Sequence, residues 1–485
     1  MTKKIYYILI LILMTSPLQG QEGHYWTEQY GTRSMLLSGS VIGGVEDLGA
    51  VFYNPARLGQ VENPSFLLSA DVYQISNFTI EDGVQDGVDT KNTDFGGVPS
   101  MFAGTFKIKA WPEHQFAYYS LQRARLSVRF NFRNESRGEV LDDLPGTEIF
   151  EAETRSNSSF REEWFGLTWS HKLSDNISVG VSANISILNS RKSNELFLRA
   201  FLEDTAEVGI YEYRREFRYN VYGFLWKAGL AYQKERLSWG LTIRTPHLNI
   251  INEGKYNYQE YYSGFTGSSI DGYYANSYQS GLKVRRKTPF AIGGGVTYSI
   301  KEKNKIHFST EFFNGVNSYD QLVAKDHIAQ SNPEDTISFK VVERLRPVIN
   351  FGIGLEWYIN KNVSGYASTS TDFSAIPDDA PQFNNQEAVV SNALLNANFL
   401  NIGGGIVLNF RGADITLGAT HTGGSRSFER PFSFPEDGGG GTLETNDEGR
   451  VRWNRWRIVF SFSVPFVKSY TKKLEDKLQN LQKKN

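Results

Sequence analysis

Cysteine is absent from this 485-residue chain. No disulfide can form, so an exported protein of this kind must draw its stability from its fold. No lipobox cysteine marks a lipid anchor either. Beyond the N-terminus no run of 18 apolar residues occurs, which excludes a transmembrane helix. An excess of charge of one sign is lacking: 51 Lys and Arg face 53 Asp and Glu, a formal net charge of −2. The basic residues are scattered, without the stripe that binds nucleic acid. Histidine is sparse and dispersed: His24, His114, His171, His247, His307, His327 and His421. No His-x-x-x-His spacing suggests a metal, and no glycine loop joins a strand to a helix. Neither catalysis nor a cofactor is expected, since a nucleophile and its base need a specific geometry.

What is present is alternation. Trp456, Ile458, Phe460, Phe462, Val464 and Phe466 fall on one parity, while Arg455, Arg457, Ser461 and Ser463 fall on the other. A strand has a side-chain period of two, so one face is greasy and the other wet. The same pattern recurs in Ile349, Phe351, Ile353, Leu355, Trp357 and Ile359, and in Tyr222, Phe224, Trp226, Ala228, Leu230 and Tyr232. Hydrophobic residues make up 40% of the chain, yet mean hydropathy is negative. That balance suits a membrane barrel, whose strands need only half their positions apolar. Aromatics at 14% supply interface girdles, and 45 glycines suit a crowded lumen.

Fourteen such segments are expected, at roughly 64–80, 100–111, 114–133, 160–173, 177–190, 218–233, 237–250, 283–301, 304–316, 340–360, 363–373, 397–411, 413–424 and 451–466. Short turns rich in Asn, Asp, Gly and Pro alternate strictly with long polar loops at 81–99, 134–159, 191–217, 251–282, 317–339, 374–396 and 425–450. An up-and-down barrel has short periplasmic turns and long outer loops, whereas a soluble sandwich has no reason to sort its loops by end. The expected fold is all-β, a 14-stranded antiparallel transmembrane barrel. Its expected parts are a signal peptide at 1–20 (Lys3 and Lys4, then the apolar run Ile5 to Met14), an N-terminal plug at 21–63, the barrel at 64–466 and a periplasmic tail at 467–485. In the tail, Leu474, Leu478 and Leu481 share one helical face amid lysines, a pattern for either a membrane-surface helix or a frayed end.

The segment before the first strand ends Phe52-Tyr53-Asn54-Pro55-Ala56. With the signal peptide and the fourteen strands, it resembles the FadL/TodX family of long-chain fatty acid and hydrocarbon outer-membrane transporters, which carries an Asn-Pro-Ala element near its N-terminus. The resemblance implies an N-terminal hatch inside the lumen bearing Asn54, Pro55 and Ala56. It implies passive uptake of hydrophobic molecules, fatty acids or hydrocarbons, with lateral release through the wall. Arg57 departs from the family's small residue, and the chain continues past its last strand.

Candidate ligand contacts follow from parity. Arg123, Arg125, Arg129 and Arg133 share one face, opposite Leu126, Val128, Phe130 and Phe132, and read as inward, as do Lys227, Arg244, Arg455 and Arg457. Arg123, Arg125 and Arg244 are candidate partners for a carboxylate; the alternative is an Arg/Glu brace with Glu311 and Glu356. The loop aromatics Tyr256, Tyr258, Tyr261, Tyr262 and Phe265 either capture a greasy ligand, pack on themselves, or meet lipopolysaccharide. Expected partners are hydrophobic small molecules and outer-membrane lipid, with the chain a monomer. The other function classes are a general porin for hydrophilic solutes and a structural or adhesion barrel. No proline or internal glycine between His114 and Arg133 marks a wall opening.

Overall fold

The computed structural model describes residues 23–464 except 61–65, 69–71, 84–86, 88, 99, 109, 112, 139–145, 205, 265–271, 301–302, 381–387, 392–394, 411–412 and 430–447. The expected signal peptide, the tail and Phe265 lie outside the described residues.

One antiparallel sheet of eighteen paired segments dominates the fold. Four legs are each broken in two, so these segments trace fourteen legs. They are β1 (Phe66–Leu68, then Val72–Glu81), β2 (Thr90–Val98, then Met101–Phe106), β3 (His114–Gly138), β4 (Glu148–Lys172), β5 (Ile177–Leu202), β6 (Glu207–Lys234) and β7 (Leu237–Arg244, then Leu248–Ser263). After these come β8 (Tyr273–Leu282, then Ala291–Ile300), β9 (Asn304–Phe313), β10 (Val348–Asn360), β11 (Val363–Asp372), β12 (Phe399–Phe410), β13 (Ala413–Glu429) and β14 (Glu448–Val464). Each leg pairs with the next in sequence, and β14 pairs with both β13 and β1, for example Ile75 opposite Trp456. The order of legs therefore closes into a ring, β14 returning to β1.

The outer face of β5 shows how the wall meets lipid. Ile177, Val179, Val181, Ala183, Ile185 and Ile187 all face outward, an apolar stretch of eleven residues. A tilted strand needs about 9–11 residues to cross the hydrocarbon. Yet β3, β4, β5 and β6 run for 25, 25, 26 and 28 residues. Their upper halves stand above the apolar band. There the rule inverts, because water lies outside and packed side chains lie inside. On β6, Tyr222, Phe224 and Trp226 face out, but higher up Asn220 and Arg218 face out while Val221, Tyr219 and Phe217 are buried.

These extensions correct the expected loops at 134–159, 191–217 and 251–282. They are largely strand, continuing the barrel wall to hairpins far above the band. Turn-like polar composition marked them as loops; in fact their polar residues form the watered outer face of long strands.

The upper lumen is filled on one side. Val316–Val323, Lys340–Leu345 and Val389–Val390 form a small sheet of their own. Leu322, Phe339, Val341 and Val390 pack in one core with the inward Phe217 and Tyr219 of β6 and Tyr256 and Tyr258 of β7. The segments expected as loops 317–339 and 374–396 thus contribute to a cap.

Candidate functional site

Residues 23–60 lie inside the barrel, where helices α1 (Arg33–Leu36) and α2 (Ala50–Tyr53) and the 3-10 turn Pro55–Gln60 pack against the inner wall. Two short helices cannot be stable alone, so side-chain bonds and wall contacts hold them. The Asp47 carboxylate accepts from Arg33 N at 2.7 Å, Ser34 N at 2.9 Å and Gly49 N at 2.9 Å. Wall glycines let the backbones approach. A Cβ on Gly180 of β5 would stand 2.5 Å from the Pro55 carbonyl carbon, and one on Gly240 of β7 would stand 2.4 Å from the Ile42 carbonyl oxygen.

The expected motif sits at this contact. Asn54 is fully buried; its Nδ2 donates to Ile42 O at 3.0 Å and to Leu230 O of β6 at 3.2 Å, and its Oδ1 accepts from Ala56 N at 3.1 Å. Pro55 starts the turn without leaving an N–H to satisfy. Ser170 and Ser178 donate to Ala56 O at 3.1 and 2.7 Å. Arg57, the departure noted above, is buried and donates to Gln233 Oε1 at 2.9 Å.

At the other end of the segment, wall charges grip residues 25–29. Trp26 Nε1 donates to Glu311 Oε2 at 2.8 Å, and Tyr25 N donates to Asp372 Oδ1 at 2.9 Å. Glu28 lies between two β14 guanidiniums, pairing with Arg455 and with Arg457 at 2.9 Å. Arg457 also donates to Thr27 O at 3.0 Å. Two of the three candidate arginines converge here. Arg123 Nη2 donates to Tyr25 O at 3.1 Å and its guanidinium lies 5.7 Å from the Trp164 ring centroid. Arg244 stacks over Phe313 at 5.1 Å and over Tyr25 at 5.9 Å. The brace alternative describes much of this: Lys227 reaches Glu311 at 3.9 Å, and buried Arg286 pairs with Glu162 at 2.8 Å. Glu28, Asp372, Glu162 and Arg286 were not singled out in the sequence, because their lumen roles depend on partners far away along the chain.

Arg125 is corrected. β3 has a bulge between Gln122 and Ala124, and a one-residue slip turns every later side chain to the opposite face. Below it, Tyr119 and Leu121 face inward; above it, Leu126, Val128, Phe130 and Phe132 face inward, while Arg125, Arg129 and Arg133 are exposed outside. Phe130 meets the inward Phe78 of β1 at 5.2 Å between centroids.

The bulge also coincides with a break in the wall. β2 and β3 pair from Phe106–Phe116 up to Met101–Leu121, and Gln122 N donates to Ser100 O at 3.1 Å. Above that bond no pairing joins Thr90–Val98 to β3 among the described residues, although Thr90–Val98 stays paired to β1. Behind the seam lies a cavity of about 70 Å³. Leu126, Phe160, Leu395, Phe399 and Trp453 give it apolar walls; His24, Thr27, Glu28 and Arg123 give it a polar floor, and Arg125 reaches its rim. Arg123 Nε is buried with no hydrogen-bond partner among the described residues.

The loop aromatics divide. Tyr256 and Tyr258 are buried in the cap core, with Tyr256 stacked on Phe339 at 4.6 Å. Tyr262 stacks on Tyr273 at 5.2 Å on the β7–β8 hairpin, and Tyr261 opposes Tyr274 with both partly open to solvent. Neither Tyr261 nor Tyr262 lines the cavity.

No protein-family model matches the sequence, and no curated protein matches it. Solved structures do. A FadL homologue from Pseudomonas aeruginosa superposes with a TM-score of 0.53 at 11% identity, covering 91% of this chain and 100% of that one. The toluene transporter TodX from Pseudomonas putida gives 0.52 at 13%, covering 93% and 100%. The monoaromatic hydrocarbon channel CymD gives 0.54 at 10%, covering 90% and 98%. Over nearly its whole length, the chain has the barrel fold of the FadL/TodX transporter family.

Proposed function

We propose that this protein is an outer-membrane channel through which hydrophobic compounds, long-chain fatty acids or hydrocarbons, diffuse passively. The observation that carries the reading is the apolar cavity directly behind the unpaired seam of β2 and β3. A hydrophobic solute gains about 25 cal/mol per Å² on leaving water, so an apolar recess beside a wall opening favours its capture. The filled lumen supports the same reading. Residues 23–60 occupy the barrel interior, which a porin for hydrophilic solutes would leave open. In this scheme the segment carrying Asn54, Pro55 and Ala56 is the hatch, and the seam is the lateral exit. Arg123 meets an anionic head group when the cargo is a fatty acid, through the Nε that the protein leaves unpartnered.

The test is permeation into liposomes carrying the purified barrel, with toluene and oleate as separate probes. Replacing Leu126 by Trp narrows the cavity without touching the hatch. Transport of both probes is expected to fall at least tenfold while conductance stays low. Unchanged transport in the variant, or a steady large ionic conductance in the parent, overturns the reading. Arg123→Met separates the cargoes: because Arg123 also holds Tyr25 O, toluene passage in the variant serves as its reference, and oleate passage is expected to fall relative to it.

A further inference from the structure

Just above the apolar band, the outer faces of β3 to β7 carry a belt of cations. Its heights are set by register. Ser120 opposes Phe165 on the lipid side, and two rungs higher Arg125 opposes Arg161. Ile187 opposes Tyr222 at the top of the band, and two rungs higher Arg191 opposes Arg218, which in turn opposes Lys255 of β7. Arg125, Arg161, Arg191 and Arg218 are all exposed. Directly opposed side chains in an antiparallel pair stand about 5 Å apart at Cβ, and like charges there repel. Two of these like-charged pairs share Arg218, and the third lies one rung lower on β3 and β4, where Arg161 opposes Asn189 of β5; such pairs are unfavourable unless anions lie between them.

The protein's own carboxylates answer only part of this charge. Arg161 pairs with Glu163, Arg191 pairs with Glu216 at 2.9 Å and Lys255 reaches Glu253 at 3.8 Å. Arg125 and Arg218 make no ion pair among the described residues. Both side chains are exposed just above the apolar band, Arg125 at the rim of the cavity behind the seam.

We propose that this belt binds the phosphates of outer-leaflet lipid, the lipid A moiety of lipopolysaccharide, through Arg125, Arg191 and Arg218. The proposal rests on the outer-membrane reading above. A guanidinium offers a planar fork that matches phosphate oxygens two at a time. The acyl chains would lie along Phe165, Ile185 and Phe224 below, so one lipid molecule meets both halves of the surface. The same belt flanks the seam at Arg125, and a lipid held there borders the opening.

The test uses the full-length barrel purified in detergent and mixed with phosphatidylethanolamine plus either bis-phosphorylated or dephosphorylated lipid A. Retained lipid is counted by native mass spectrometry. The parent protein is expected to retain the bis-phosphorylated form at least tenfold over the dephosphorylated form, and millimolar inorganic phosphate is not expected to displace it. The triple variant R125S/R191S/R218S is expected to lose that preference, while Arg137→Ser, high on the extension, keeps it. Should the triple variant misfold, the single variant Arg218→Gln is expected to lower the preference severalfold. Equal retention of both lipid forms by the parent, full displacement by free phosphate, or an unchanged preference in the variants overturns the proposal. Failure of the outer-membrane reading has a different signature: the parent would neither insert into vesicles nor show the heat-dependent gel shift of a folded barrel.

Discussion

Glu28 is the point at which the N-terminal segment is most exposed to a single change. Its two oxygens accept from Arg455 and Arg457, whose side chains are 1% and 2% exposed. Replacing Glu28 by Ala leaves two guanidiniums close together, away from water, with Thr27 O and Gln29 Oε1 as remaining acceptors. Removing one partner of a buried ion pair is destabilising by about 3–5 kcal/mol. The barrel strands are held by their own backbone ladders, so the loss falls on docking of the segment and not on the wall. At about 1.4 kcal/mol per tenfold, the undocked population should rise roughly a hundredfold to a few thousandfold. Hydrogen exchange read by mass spectrometry measures this directly. Peptides covering 24–36 should lose protection by that factor, while peptides from β5 and β6 should not change. Replacing all three charges by Leu or Met should restore much of the protection, because no buried charge is then left alone. Unchanged exchange in Glu28→Ala, or equal loss across the barrel strands, would refute the assignment of this triad as a latch.

Two further changes test the packing argument. Gly180→Ala places a methyl against the Pro55 carbonyl and should destabilise the protein by roughly 1–3 kcal/mol, lowering the urea midpoint for loss of segment protection. Gly404→Ala, whose nearest neighbour would be 3.4 Å away, is the control and should have little effect. On the lipid face, Ile185→Arg should reduce stability in bilayers by about 2–4 kcal/mol in reversible urea unfolding, whereas Asn220→Arg, two rungs higher on β6 and opposite Glu253, should be close to neutral.

Much of the wall was legible in the sequence because the bilayer imposes a simple rule on it. Tyr222, Phe224 and Trp226 announce a lipid face through parity alone. The same rule misplaced Arg125, Arg129 and Arg133. Above the membrane, apolar side chains turn inward, so a long strand must either switch its apolar parity or slip by one residue. β6 switches: Trp226 and Tyr222 are even-numbered, Tyr219 and Phe217 odd. β3 keeps even parity from Phe116 to Phe132 and slips at the bulge instead. The switch on β6 is visible in the chain once strand length is considered; the slip on β3 is not. The lumen network is harder still. Glu28 finds its partners 427 and 429 residues away, and no local pattern encodes that distance. Asn54, Pro55 and Ala56 were singled out through their resemblance to the Asn-Pro-Ala element of a known family, not through any periodicity of the chain.

The height of the wall has a consequence for encounter. On β5, the residues from Asn189 to Leu202 continue the strand above the apolar band. At about 3.3 Å per residue and a tilt near 40°, they rise about 35 Å, more than the roughly 25 Å apolar band they surmount. A hydrophobic solute approaching a hydrated cell surface is held off by sugars and water, and its concentration at the bilayer is low. A rampart of this height moves the point of first contact outward, past that wet layer. Under the channel function proposed above, capture would then depend on diffusion to the top of the rampart and not on permeation through the surface coat.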